Sequence, residues 1–175
     1  MALSGVAAAG PGSEVVNATE AGFTSRNFSV IAASPMDVYR ALVRDVARWW
    51  DPAHTYSKDA ANLSIDGRAG GLFLERLPGG GSVAHMTVVY AEPGKALRLL
   101  GGLGPLQASA VNGSMTWMLT TEEKGTKVEL TYVVGGYRDG GLKDIALLVD
   151  RVVGEQLQRL KAFVEHGKAP GEPSR

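Results

Sequence analysis

Glu75 and His85 are the side chains of this sequence best suited to acid–base chemistry, and a glycine-rich turn separates them. The stretch FLERLPGGGSVAHM, residues 73–86, predicts two strands of a hairpin joined by that turn. A four-residue loop would place Glu75 on the inner face of the sheet with Phe73 and Met86. A five-residue loop would instead pair Glu75 with His85 on the outer face. Glycine-rich turns also permit bulges, and the sequence leaves both registers open.

The two registers predict different roles for Glu75. A carboxylate inside an apolar cavity would have a raised pKa and could act as a general acid or base, with His85 as its helper. On the outer face, Glu75 would be a surface side chain bridging Arg76 or His85. Glu75 and His85 are therefore the candidate catalytic residues.

The stretch DVARWWDPAHTYS, residues 45–57, contains two of the three tryptophans of the chain. Trp49 and Trp50 lie at the end of a predicted helix, where adjacent side chains point about 100° apart and cannot share one environment. Either both rings plug the junction between helix and sheet, or one of them lines a ligand site. His54 and Tyr56 follow in the loop, where they either reach the mouth of that site or are solvated.

These stretches belong to a regular series of elements. Alternation over residues 24–32 predicts a strand, Ser34-Pro35 predicts a helix start, and a second short helix is predicted at residues 45–50. Five or six strands follow, at residues 62–66, 71–77, 83–91, 96–100, 114–121 and 126–135. Apolar residues recur at helical spacing over residues 142–166 and predict a long helix ending at Gly167. The antiparallel meander upstream is the only surface large enough to cover its stripe.

The predicted hairpins give the sheet one apolar face. A four-residue EEKG loop places Trp117 opposite Leu130 and Met115 opposite Tyr132. A four-residue EPGK loop likewise places Tyr90 opposite Leu97 and Val88 opposite Leu99.

Five motifs stand in these elements: VIAASPMDVYRALV, RWWDP, RAGG, VVYAEPGKALRL and LQRLKAFVEHG. Together with the order of elements, they resemble the START-like or SRPBCC superfamily, which includes polyketide cyclase/dehydrase and lipid-transport proteins and relatives of the heat-shock chaperone ATPase activator. The resemblance implies an α+β helix-grip fold, with a curved antiparallel sheet of six to seven strands around a long C-terminal helix and two short helices after the first strand. It also implies a deep apolar cavity between sheet and helix.

The residues predicted to bind a ligand in that cavity come from the helix end, the inner strands and one loop. They are Trp49, Trp50, His54, Tyr56, Phe73, Met86, Tyr90, Leu103, Leu106, Trp117, Tyr132 and Val153. The loop at residues 101–113 is either a lid or an edge segment of sheet interrupted by Pro105. Gly154 either leaves room for a ligand or allows close helix packing.

Length and composition set further limits. The chain has 175 residues, of which 45% are hydrophobic, so one domain is expected, at residues 23–167, between a flexible leader at 1–22 and a flexible tail at 168–175. Eighteen basic residues balance eighteen acidic ones, which argues against nucleic acid as a partner. The chain has no cysteine, its three histidines lack metal-ligand spacing, and no nucleotide motif is present, so no metal or cofactor is expected. No apolar run is long enough to span a membrane.

The sequence thus predicts binding or transport of a small hydrophobic or amphipathic ligand. The first alternative is a cyclase/dehydratase-like enzyme that uses Glu75, assisted by His85, Tyr90 or His54. The second is a chaperone-interacting module. A cytoplasmic location is expected, or an exported one if residues 1–22 are the remnant of a trimmed leader.

Overall fold

One antiparallel sheet of eight strands and one long helix dominate the computed structural model, which describes residues 12–171. The strands are β1 (Gly12–Thr19), β2 (Gly22–Ile31), β3 (Leu63–Ile65), β4 (Leu72–Arg76), β5 (Ser82–Glu92), β6 (Ala96–Leu100), β7 (Ala110–Glu122) and β8 (Gly125–Tyr137). The helices are α1 (Pro35–Arg44), α2 (Val46–Trp49) and α3 (Ala146–His166). The spatial order of the strands is β1-β2-β8-β7-β6-β5-β4-β3. This is the predicted α+β helix-grip architecture, with one strand more than expected.

The additional strand, β1, lies within the segment predicted to be a flexible leader. It pairs with β2 from Gly12 opposite Phe28 to Thr19 opposite Gly22, so the prediction is wrong for this part of residues 1–22. A shift of register between Val15 and Asn17 interrupts the alternation of side chains, and the period-two pattern of a strand is therefore hidden in the sequence. Residues 1–11 lie outside the described residues.

The start of the predicted tail also packs on the domain. Ala169 is buried, and Arg159 donates a hydrogen bond from Nη1 to the Pro170 carbonyl at 2.7 Å. The ordered domain therefore extends beyond residues 23–167 at both ends. Residues 172–175 lie outside the described part of the chain.

Capping residues mark the start of α1 and the end of α3, as predicted. The Ser34 hydroxyl accepts a hydrogen bond from the Asp37 N–H at the start of α1, and Pro35 occupies the first helical position. At the other end of the domain, α3 ends at Gly167, whose φ of 74° lies in the left-handed region that glycine adopts without strain. A 3₁₀ turn at Lys143–Ile145 precedes α3, which thus begins later than the predicted 142.

The core lies between the concave face of the sheet and α3. Trp117 is opposite Leu130 and Met115 is opposite Tyr132, which confirms the predicted pairing of β7 with β8. All four side chains are buried.

In the neighbouring hairpin, Val88 is opposite Leu99 as predicted, but Tyr90 is opposite Arg98 and not Leu97. A register shift between Val88 and Tyr90 turns the Tyr90 ring to the outer face, where 44% of it is exposed. Tyr90 is therefore not part of the core face.

A buried polar cluster joins β2 to α3. The Ser25 hydroxyl donates to Asp150 Oδ1 at 2.6 Å, and Asn27 Nδ2 donates to the same oxygen at 3.0 Å. Gly154 lies one helical turn beyond Asp150, and a Cβ added there would overlap the Asn27 Oδ1 atom. Gly154 therefore serves close packing of α3 on β2, which is one of its two predicted roles.

We expect Gly154→Ala to lower the free energy of unfolding by about 1–2 kcal/mol. Alanine in a helix is intrinsically better than glycine by about 1 kcal/mol, but here the new methyl group displaces Asn27, whose amide is held by Ser25 and Asp150. Urea denaturation of the two proteins measures the difference. A more stable variant would show that helix propensity outweighs this contact.

No helix within residues 12–171 is both long and apolar enough to cross a membrane.

Candidate functional site

A cavity of about 600 Å³ lies between the loop after α2, the 3₁₀ turn Gly104–Ala108 and the N-terminal half of α3. Most of its wall is apolar. It is lined by Trp50, Ala53, His54, Thr55, Tyr56, Lys58, His85, Leu103, Gly104, Pro105, Leu106, Arg138, Ile145, Leu148, Val149, Val152 and Val153. The volume is within the range of small-molecule sites.

The two adjacent tryptophans occupy different environments. Trp49 is fully buried in the core, where its indole N–H donates to the Ala41 carbonyl at 3.0 Å and its ring meets Trp117 edge-on. Trp50 lines the cavity, packs edge-on against Phe73 with ring centroids 5.2 Å apart, and donates to the His54 carbonyl at 3.3 Å. One ring therefore belongs to the core and the other to the cavity wall.

Glu75 and His85 form a hydrogen-bonded pair beneath that wall. Phe73 is opposite Met86 and Leu74 is opposite Ala84, so His85 is the extra residue of a bulge in β5. Glu75 is opposite Val83, a register that neither predicted loop length gives. Its side chain faces inward, as the four-residue loop predicted, and the bulge also brings it into contact with His85. The distance between His85 Nε2 and Glu75 Oε2 is 2.9 Å.

Backbone groups of the loop after α2 complete the surroundings of the Glu75 carboxylate, whose side chain is fully buried. The Ser57 N–H donates to Oε1 at 2.5 Å, and the Tyr56 N–H donates to Oε2 at 3.2 Å. Glu75 thus fixes the loop that carries His54 and Tyr56 to the sheet.

These hydrogen bonds decide the protonation of Glu75. Burial raises the pKa of this carboxyl, but hydrogen bonds from Ser57, His85 and Tyr56 together outweigh burial, and the pKa lies below its ordinary value. The expectation of a raised pKa is therefore wrong. Glu75 is an ionised hydrogen-bond acceptor at neutral pH, and it is His85 that reaches the cavity.

The His85 ring is held firmly between two aromatic neighbours. It stacks on Tyr56 at 5.9 Å and packs against Phe73 at 5.1 Å between ring centroids. Only 4% of the side chain is exposed, and Nδ1 has no hydrogen-bond partner among residues 12–171. His85 therefore presents one unused buried polar atom in a wall that is otherwise mostly apolar.

The charged side chains that line the cavity are basic. Lys58 Nζ donates to the Ala53 carbonyl at 3.3 Å, and Arg138 Nη1 donates to the Gly141 carbonyl at 3.0 Å. His54 lies 3.6 Å from Glu155, which is outside the lining. In the part of the chain that the structure describes, no Asp or Glu side chain lines the cavity, and no three His, Cys, Asp or Glu side chains cluster as metal ligands.

The structure brings six of the predicted ligand-binding residues to the cavity, together with His85. These are Trp50, His54, Tyr56, Leu103, Leu106 and Val153. The others lie in the core, apart from Tyr90 on the outer face. The core residues are Trp49, Phe73, Met86, Trp117 and Tyr132. They were assigned to the cavity because an apolar inner face does not reveal which of its residues α3 covers.

Tyr132 nevertheless positions part of the cavity wall. Its hydroxyl donates to the Gly101 carbonyl and accepts from the Leu103 N–H, both at 3.1 Å. Burial raises the pKa of Tyr132 to about 12. The first half of the loop at residues 101–113 lines the cavity, and its second half begins β7, which is an inner strand and not an edge segment.

Sequence reasoning missed most of the α3 contribution. Ile145, Leu148, Val149 and Val152 were recognised only as the stripe that grips the sheet, and Arg138 carried no pattern at all. The other lining residues missed are Ala53, Thr55, Lys58, Gly104 and Pro105. Leu148 is 59% exposed, so this part of the stripe faces the open cavity and not the core.

The curved antiparallel sheet, the long closing helix and the cavity beside that helix define a helix-grip protein of the SRPBCC superfamily. The family model of the Activator of Hsp90 ATPase homolog 1-like proteins matches residues 32–165, and the chain belongs to that family. No curated protein matches the chain significantly.

Solved structures support the fold assignment. A conserved protein of unknown function from Enterococcus faecalis superimposes with a TM-score of 0.64 at 16% identity, covering 94% of this chain and 82% of that one. The Aha1 dimer from Colwellia psychrerythraea superimposes with a TM-score of 0.59 at 24% identity, covering 83% of this chain and 98% of that one. CalU16 from Micromonospora echinospora superimposes with a TM-score of 0.56 at 17% identity, covering 94% of this chain and 86% of that one.

Proposed function

We propose that this protein binds a small hydrophobic or amphipathic molecule in the cavity between α3 and the loop after α2. The observation that carries the proposal is the cavity itself, about 600 Å³ in volume and lined by aliphatic side chains of α3 opposite Trp50 and Leu106. Apolar pockets of this size with a few polar groups are typical ligand sites. Such a cavity is sufficient for binding, whether or not the protein also carries the ligand between partners.

An enzymatic role receives less support. The cyclase/dehydratase hypothesis depended on Glu75 as a proton donor or acceptor with a raised pKa, whereas the pKa of Glu75 is lowered. Glu75 also lies behind His85 and does not line the cavity. Its three hydrogen bonds suit a structural carboxylate that orients His85 and the adjacent loop.

A role in binding a chaperone is suggested by the description of the family and by the Aha1 structure among its structural relatives. The cavity has the volume and the mostly apolar wall of a small-molecule site. The cavity of this chain therefore favours a small molecule as the primary partner.

We expect Val149→Trp to weaken binding of an uncharged apolar dye, N-phenyl-1-naphthylamine, by about tenfold or more. Val149 lines the cavity and is half-buried, so the larger indole occupies the ligand's volume. Dye fluorescence titrated against the purified protein gives the Kd.

Leu147→Trp is the matched control for this experiment. Leu147 lies on the same turn of α3, is 71% exposed and does not line the cavity. The control variant should bind the dye as the parent does. Equal Kd values for all three proteins would place the dye elsewhere, and no binding by the parent protein would overturn the proposed function.

A further inference from the structure

We infer that the cavity's ligand carries a hydroxyl group, and that this hydroxyl donates a hydrogen bond to Nδ1 of His85. The inference rests on the proposed function and adds to it the chemical class of the ligand, an apolar molecule with a neutral hydroxyl. Its basis is the pairing of His85 with Glu75.

The orientation of the His85 ring is fixed from three sides. Nε2 lies 2.9 Å from Glu75 Oε2, while Tyr56 and Phe73 pack against the ring. A ring flip would break the bond to Glu75 without satisfying both nitrogens. Nδ1 is therefore the unpaired polar atom of a side chain that lines the cavity.

The same contacts fix which nitrogen carries the hydrogen. Glu75 already accepts hydrogen bonds from the backbone N–H groups of Tyr56 and Ser57, and a carboxylate can only accept. The hydrogen of the His85–Glu75 bond consequently resides on Nε2. In the neutral ring, Nδ1 then carries a lone pair and is an acceptor.

An unpaired buried acceptor makes the site selective. Nδ1 has no partner in the described residues and is already shielded from water, so it is unsatisfied before any ligand binds. A ligand hydroxyl placed against Nδ1 would remove that cost, whereas an apolar group would leave it in place. Sites built in this way reject the analogue that lacks the hydroxyl far more strongly than they reject a small change in size.

The charges of the cavity restrict the donor to a neutral group. Lys58 and Arg138 line the cavity, and no acidic side chain does so within residues 12–171. This arrangement disfavours an ammonium donor, and ethers and ketones have no hydrogen to donate. Neutral alcohols and phenols on an apolar skeleton satisfy both limits.

The test compares two probes of nearly equal shape, 1-naphthol and 1-methylnaphthalene, by calorimetric titration of the wild-type protein. In an apolar pocket without an acceptor the methyl compound binds more tightly, because burial of an unpaired hydroxyl is unfavourable. We expect the wild-type protein to prefer 1-naphthol. The preference, as a ratio of Kd values, should fall by roughly tenfold or more when the acceptor is removed.

The acceptor is removed in the double variant Glu75→Gln, His85→Phe. Phenylalanine retains the ring packing with Tyr56, and glutamine retains an oxygen for the backbone N–H of Ser57 without leaving an unpaired buried charge. His166→Phe is the matched control, since His166 is exposed at the end of α3 and does not line the cavity. The control variant should keep the preference for 1-naphthol.

Nitrogen-15 NMR of the wild-type histidines provides a readout that does not depend on how the variants fold. The unliganded protein should show His85 with hydrogen on Nε2 and none on Nδ1, and 1-naphthol should shift the Nδ1 resonance while 1-methylnaphthalene leaves it in place. Hydrogen on Nδ1 in the free protein, or a wild-type preference for the methyl compound, would overturn the inference and leave the proposed function intact. If neither probe bound, the proposed function would fall and the inference with it.

Discussion

Leu157→Asp is expected to abolish cooperative folding of the domain. Leu157 is fully buried in the middle of α3, on the stripe that faces the sheet. Loss of its packing alone would cost about 2–5 kcal/mol. An unpaired carboxylate in the same place adds several kcal/mol more, against a total stability of about 5–15 kcal/mol for a domain. Thermal unfolding followed by circular dichroism should show no cooperative transition.

Gln158→Asp provides the control for this prediction. Gln158 is the next residue of the same helix and is exposed, so the same new charge should change the free energy of unfolding by no more than about 0.5 kcal/mol. A Leu157→Asp variant that melted cooperatively near the parent temperature would contradict the assignment of Leu157 to the core between α3 and the sheet.

The elements that the sequence predicted correctly are those with an uninterrupted period. The stripe of α3 repeats at helical spacing over more than five turns, and Gly167 ends it as predicted. The β7–β8 hairpin alternates without a break, so its register follows from the loop length alone. Long regular patterns specify both the type of element and the face that it buries.

The errors within the sheet share one physical cause. Bulges or register shifts occur between Val15 and Asn17, beside His85, and between Val88 and Tyr90. Each one inserts a residue and turns the following side chains to the other face. An alternating pattern of polar and apolar residues does not show where one extra residue is inserted into a strand, because contacts with the neighbouring strands determine that position. For this reason β1 was missed and Tyr90 was placed on the wrong face.

The position of the cavity was only partly predictable. One amphipathic stripe on α3 both covers the sheet and lines the cavity, and the sequence does not mark where one function ends and the other begins. Leu157 lies against the core, whereas Leu148 lines the cavity and is largely exposed. The distinction depends on which side of α3 the sheet covers and which side faces the surrounding loops, and this is a property of the whole fold.

The direction of the Glu75 pKa depended on groups that lie far away along the chain. Burial could be anticipated from the inward-facing register, and burial alone raises a carboxyl pKa. The Tyr56 and Ser57 N–H groups, about eighteen residues away, reverse the direction because the loop after α2 folds back onto β4. No local pattern records such an approach.

We expect Glu75→Ala to lower the free energy of unfolding at neutral pH by about 3–5 kcal/mol. The substitution removes a buried ionised acceptor and leaves the N–H groups of Tyr56 and Ser57 and the Nε2–H of His85 without partners. Urea denaturation measures the change. Glu155→Ala is the control, because Glu155 is half-exposed and its ion-pair partner is His54, 3.6 Å away, so its loss should cost less than about 1 kcal/mol.

The unfolding free energies of the parent protein and of Glu75→Ala should converge at low pH. The pKa of Glu75 is lower in the folded protein than in the unfolded chain, so the unfolded chain takes up this proton first as the pH falls. The stabilisation due to the ionised carboxyl is therefore complete above the unfolded value of about 4.3 and is lost as the pH falls through the folded pKa. The gap in unfolding free energy between the parent and Glu75→Ala should narrow over that range, while the gap to Glu155→Ala changes little. A Glu75→Ala gap that stayed constant from neutral pH to about pH 3 would mean that the Glu75 carboxyl has the same pKa in both states, against the hydrogen bonds that surround it.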